Sequence, residues 1–103
     1  MIITKHAFQR LRERVNEKIT DDQAIELATK AYYQGKTSGH FIETDIDLAM
    51  YLSHKQSKYI NKTIRLLDNM IYVYDLAEKV LITCYPSNFN SWKNNCKKYL
   101  QKN

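Results

Sequence analysis

The chain predicts a single α+β domain, in which N-terminal helices precede an antiparallel β-meander of three or slightly more strands and a short C-terminal helix closes the order. Three observations carry that prediction. Thr20-Asp21-Asp22-Gln23 has the reciprocal capping box of a helix start. Near Lys62 the apolar pattern changes from helical to strand-like spacing. Asp68-Asn69 then separates two β-prone runs by a two-residue turn, the signature of a tight hairpin.

The first helix is expected from about Lys5 to Val15 with Thr4 as its cap, because Ala7, Phe8, Leu11 and Val15 recur as one apolar stripe. His6, Arg10 and Arg14 follow one another at i, i+4 and i+8 on the flank of that stripe, where they could line a groove. The second helix starts at Thr20 with Asp21 and Asp22 at the positive end of its dipole. It buries Ala24, Ile25, Leu27, Ala28, Ala31 and Tyr32, and Gly35 stops it through a left-handed conformation. Residues 36–41 read as a loop. Ile42, Ile46, Ala49, Met50 and Leu52 then suggest a third helix, and the basic stretch Lys55 to Lys62 reads as a connection into the sheet.

Three strands follow: Thr63 to Leu67, Met70 to Tyr74 across the Asp68-Asn69 turn, and Val80 to Tyr85 after a looser turn from Asp75 to Lys79. From Asn90 to Asn103, Trp92, Cys96, Tyr99 and Leu100 stand at helical spacing among lysines. Trp92 and Leu100 either dock this tail on the domain or present an interaction surface.

Composition limits the rest. With 103 residues, 44% of them hydrophobic, the chain can bury one core but not two. Eight Tyr, three Phe and one Trp argue for a folded protein, and two Gly and one Pro leave room for few special turns. A formal charge of +5 favours a polyanion or an acidic protein face, although solubility alone also accounts for such a charge. Cys84 and Cys96 lie outside any C-x-x-C spacing, so free thiols are expected, with neither a disulfide framework nor a zinc site. The segment from Met1 to His6 lacks the apolar stretch of a signal peptide, and no run approaches the roughly 20 apolar residues of a membrane span. A cytoplasmic protein without a membrane partner is expected.

Chemistry is sparse. There is no glycine-rich phosphate loop, no His-Glu-x-x-His helix and no Cys/His cluster, so no cofactor or metal is expected, and His6, His40 and His54 are scattered. The informative pair is His6 with Arg10, which combines an imidazole, a group that titrates near neutrality, with a phosphate-binding fork on one helix face. Metal-free RNA cleavage needs that mixture: a 2′-hydroxyl must lose a proton, a 5′-oxygen must gain one, and the phosphorane charge must meet fixed cations. The same pair can also be a helix-framing histidine and a solvated arginine. Arg65, on a predicted strand, either pairs with an acid across the sheet or faces a phosphate; Thr83 is either a strand former or a hydroxyl donor to one. Arg14, Lys62 and Tyr85 are candidates for contact with a nucleic acid, Tyr85 together with Tyr72 and Tyr74 as stacking surfaces or core aromatics.

Taken together, Ile3-Thr4-Lys5-His6-Ala7 with Arg10, Arg12-Glu13-Arg14, the alanine-rich second helix ending at Gly35, and the run from Thr63-Ile64-Arg65-Leu66 through Ile71-Tyr72-Val73-Tyr74 to Leu81-Ile82-Thr83 resemble small phage and bacterial proteins. These are similar to the RelE-like branch of the barnase/EndoU/colicin/RelE nuclease fold. The resemblance spans most of residues 2–89. It implies one RelE-like α+β domain over residues 1–103, with 89–103 as a helical extension beyond the Pro86-x-x-Phe89 finish. It further implies His6 as acid/base, Arg10 as phosphate clamp, Arg65 as transition-state cation and Thr83 as phosphate donor. The sheet lacks the dense Arg/Lys cluster of ribosome-dependent toxins.

The resulting expectation is a metal-independent endoribonuclease or RNA-binding protein of toxin or phage type. The alternative is a non-catalytic phage-type protein that binds a host nucleic-acid-binding or defence protein, such as one of a CRISPR system. A DNA-binding regulator fits less well, since the helix from Thr20 carries Asp21, Asp22 and Glu26, which suit a recognition helix poorly.

Overall fold

The structure, a computed structural model, describes residues 1–77 and 79–101, without the side chains of 97–101. In chain order it contains β1 (Ile2–Ile3), α1 (Lys5–Arg14), α2 (Asp21–Gln34), a short 3-10 turn (Ser38–Phe41), α3 (Ile46–Ser57), β2 (Lys62–Leu67), β3 (Met70–Asp75), β4 (Val80–Pro86) and α4 (Phe89–Gln101). The α+β order expected from the sequence is therefore present. The docking contact expected of Leu100 falls outside the described side chains.

Each helix start is chemically marked. Ala7 N–H donates to Thr4 Oγ1 at 3.0 Å to begin α1. The Thr20 box closes in both directions, with Gln23 N–H on Thr20 Oγ1 at 3.2 Å and Thr20 N–H on Gln23 Oε1 at 3.0 Å. Asp45 Oδ1 accepts from Leu48 N–H at 3.2 Å and sets the start of α3 at Ile46 rather than near Ile42. As a result Ile42, Ile46 and Met50 stay exposed, while Ala49, Tyr51 and Leu52 form the buried face. The helix also continues through Lys55 to Ser57, so the expected connection is shorter than the sequence suggests.

The sheet has the order β1-β4-β3-β2. Its last three strands are the expected antiparallel meander, turned at Asp68 and Asn69, whose φ values of 49° and 64° are those a tight hairpin demands. The fourth strand was not legible. Ile2 and Ile3 pair in parallel with Val80 and Leu81, which makes the sheet mixed. Two residues show no period, and a parallel partner this far along the chain leaves no local signal.

Both faces of the sheet are covered, which explains why Ile71, Tyr72, Val73 and Tyr74 are all buried instead of alternating. Tyr72, Tyr74, Leu81 and Cys84 pack under α1 and α2 with Ala7, Leu11, Ala24, Ala28 and Ala31. Ile64, Ile71 and Val73 pack on the opposite side with Tyr51 and Leu52, and Phe89 and Trp92 close over them.

Gly35 ends α2, but not in the left-handed region: its φ is −67° and ψ is 155°. Glycine is required there for space. A Cβ would meet the Ala31 carbonyl oxygen and lie 2.8 Å from Arg65 Cβ, because the end of α2 presses directly on β2. Lys36 then bridges to Leu66 and extends the sheet edge by one pair.

Candidate functional site

The feature that positions the candidate site is the way α1 meets β4. Beyond Ile3 the strand β1 ends, and among the described residues the outward carbonyls of β4 have no neighbouring strand. Half-buried carbonyls need partners, and the cap residue and a side chain of α1 supply them. Thr4 Oγ1 donates to the Ile82 carbonyl at 3.0 Å, and Arg14 Nη1 donates to the Cys84 carbonyl at 2.6 Å. At the first of these anchors β4 carries a bulge: Val73 pairs with Thr83 but Tyr74 pairs with Leu81, so Ile82 is the extra residue.

The bulge places Thr83 where α1 can reach it. His6 Nε2 lies 3.1 Å from Thr83 Oγ1, joining residues 77 positions apart. His6 is exposed and Thr83 is half-buried, so the pair sits at an open rim. One turn further on, Arg10 Nη1 binds Glu13 Oε2 at 2.7 Å, and Gln9 Nε2 binds the other carboxylate oxygen at 3.1 Å. The Arg10 hydrogen bond holds the Glu13 carboxyl below the usual carboxylate range, with help from Gln9 and from the charges of Arg10 and Arg14. Behind this rim, burial pushes the Cys84 thiol up to about 11 against the opposing pull of Arg14 and Arg10.

The structure thus brings His6, Thr83, Arg10 and Arg14 to one seam. Arg65 stands elsewhere. Its register neighbours are Tyr72 and then Cys84, which puts it two strands from the α1 edge, roughly 10 Å across the sheet. Its guanidinium donates to Thr63 Oγ1 at 2.6 Å and to the Ile64 carbonyl at 3.0 Å, and lies 5.0 Å above the Tyr32 ring. Lys62 begins the same far strand, opposite Asp75. Tyr85 pairs with Ile71 on the other face and stacks on Tyr59 with centroids 6.4 Å apart, a packed position rather than a free platform.

Glu13 is the residue that reading the sequence passes over. The available signal is its spacing, three residues after Arg10 and seven after His6, which puts all three on one stripe of the helix. His40 is spent on local structure, with Nδ1 accepting from Thr37 N–H at 3.0 Å. Among the described residues no three His, Cys, Asp or Glu side chains gather as a metal site, and no helix is long and apolar enough to cross a membrane. Comparison of the chain with family models, curated proteins and solved structures found no match.

Proposed function

We propose that this protein is a metal-independent endoribonuclease of the RelE-like kind, working at the seam of α1 and β4. The observation that carries this reading is the 3.1 Å contact between His6 Nε2 and Thr83 Oγ1 at an exposed rim backed by Arg10 and Arg14. An imidazole, a hydroxyl and guanidinium groups on one open edge are the groups that a phosphodiester requires.

In this mechanism the RNA backbone lies along α1, with the scissile phosphate over Arg10 and its neighbouring oxygens toward Thr83. The Glu13 carboxylate takes the proton of the 2′-hydroxyl as the 2′-oxygen attacks phosphorus. The bond from phosphorus to the 5′-oxygen then breaks, and protonated His6 gives that oxygen its proton. The products are a 2′,3′-cyclic phosphate and a 5′-hydroxyl. His6 and Glu13 are seven residues apart, about 10 Å along a helix, which leaves room for a nucleotide linkage between acid and base.

The test is cleavage of single-stranded RNA by the purified protein in EDTA, with analysis of the product ends. His6→Ala should abolish cleavage while leaving thermal stability within about 1 kcal/mol. Cleavage that survives this substitution sinks the assignment.

One observation favours a second reading, a non-catalytic binder of a host nucleic-acid-binding or defence protein. Arg65, the cation the nuclease reading would use on the sheet, is turned toward Tyr32 and away from the α1 edge. A stoichiometric host protein recovered by pull-down, with no cleavage by the wild-type chain, would select that reading.

A further inference from the structure

On the face of the sheet opposite the α1 seam, α3 and the start of α4 enclose an open groove of about 550 Å³. That volume is within the range that accommodates a small organic ligand. Its composition is unusual for a gap between packed helices. One wall is the C-terminal half of α3 with its cap, bringing His54, Lys55 and the cap residue Lys58; the other is the first turns of α4, bringing Ser91, Trp92 and Asn95. Among the described residues, no acidic side chain lines it.

We propose that this groove binds one nucleotide unit of a single-stranded RNA, its base against Trp92 and its phosphate on Lys55 and Lys58. Trp92 supplies the stacking surface. The ring is half-buried, held edge-on by Tyr51 at 5.5 Å and stacked on Phe89 at 6.3 Å, so its orientation is fixed before any ligand arrives. Stacking on a pre-set aromatic tolerates any base, because every base has a π-face. Asn95 and Ser91 offer donors and acceptors for a base edge.

The cations are poised in a complementary way. Lys55 Nζ lies 5.5 Å from the Tyr51 ring centroid, drawn over the same aromatic cluster. Burial first, and then the nearby Lys58 charge, hold the Lys55 ammonium below its ordinary range. Two like charges three residues apart on one helix repel each other, and a phosphate between them removes that repulsion. An acidic peptide would satisfy the lysines but leave the tryptophan face unused.

The choice of RNA as ligand rests on the function proposed above, but the groove would bind without using His6, so the two ideas fail separately. Trp92 is the one tryptophan of the chain, which makes its fluorescence a direct reporter of the groove. The wild-type protein is titrated with adenosine 5′-monophosphate, and the His6→Ala protein with a short single-stranded ribo-oligonucleotide that it cannot cut.

Saturable quenching by both probes is expected. Lys58→Gln should weaken oligonucleotide binding and reduce the slope of log affinity against log salt by about 0.7, the single-strand value for one lost phosphate contact. Asn95→Asp, an exposed substitution that leaves the fold intact, should weaken it further by placing a carboxylate in the groove. Unchanged fluorescence, equal affinity in both variants, or equal quenching by poly-glutamate would overturn the proposal. Saturable quenching without RNA cleavage would remove the nuclease and keep the groove; His6-dependent cleavage without quenching would do the reverse.

Discussion

Thr4 Oγ1 makes two hydrogen bonds at once, donating to the Ile82 carbonyl at 3.0 Å and accepting from Ala7 N–H at 3.0 Å. One hydroxyl therefore both starts α1 and fastens it to the bulge of β4. Thr4→Val keeps the shape but removes both bonds, leaving a half-buried carbonyl and a helix start without partners. The expected loss is about 2 kcal/mol, read from urea unfolding, with Thr4→Ser close to wild type. If the nuclease reading is right, Thr4→Val also lowers RNA cleavage, because His6 is two residues from the lost anchor.

Gly35→Ala tests the close approach of α2 to β2. The added Cβ has no space between the Ala31 carbonyl and Arg65 Cβ, so the end of α2 must shift. A loss of about 1–3 kcal/mol in unfolding free energy is expected, as for other overpacked sites. Stability equal to wild type would mean that this contact is looser than described.

The cysteines should behave differently toward a thiol reagent. Cys96 is exposed, whereas Cys84 is buried and its thiol is pushed up to about 11. The thiolate is the reactive form, so one thiol should react rapidly in the native protein at neutral pH and the second only on unfolding. Rapid reaction of both thiols in the folded state would contradict the burial of Cys84.

Alkaline pH should unfold the protein through its core tyrosines. Burial pushes Tyr72 up to about 12, with Cys84 and Asp68 adding to the shift, and raises Tyr74 as well. Below about pH 10 the phenols keep their protons in both the folded and the unfolded chain, so this contribution is constant. Above that value the unfolded chain ionises and the native one resists. Stability then falls as pH rises toward about 12, by about 1.4 kcal/mol per pH unit for Tyr72 alone. Urea midpoints measured from about pH 9 to about pH 11 check this, and a flat profile would count against it.

What could be read in advance was what is local. The Thr20 box, the Asp68-Asn69 hairpin and the stripe of Ala7 and Leu11 are complete within a few residues, and they specify two helices, two strands and their order. The positions that differed depend on distant partners. The parallel pairing of Ile2 and Ile3 needs Val80 and Leu81; the exposure of Ile42 and Met50 depends on where Asp45 caps; the fit at Gly35 depends on Arg65. At the candidate site, the spacing of His6, Arg10 and Arg14 showed that they share a flank, but their meeting with Thr83 depends on a bulge that no spacing reveals. Glu13 does not stand out in the sequence, because an acid between two arginines reads as an ordinary surface pair.

The edge pairing of β1 with β4 also has a consequence for timing. The Thr4–Ile82 bond spans 78 positions, so the first helix leaves the ribosome long before the strand it rests on has been made. Until then α1 has an apolar face with no sheet to cover it, and His6 has no Thr83 to meet. A prematurely terminated chain that lacks residues 80–86 would carry every helix-borne group of the seam and still be unable to assemble it. Assembly of the seam therefore waits until synthesis has passed Pro86.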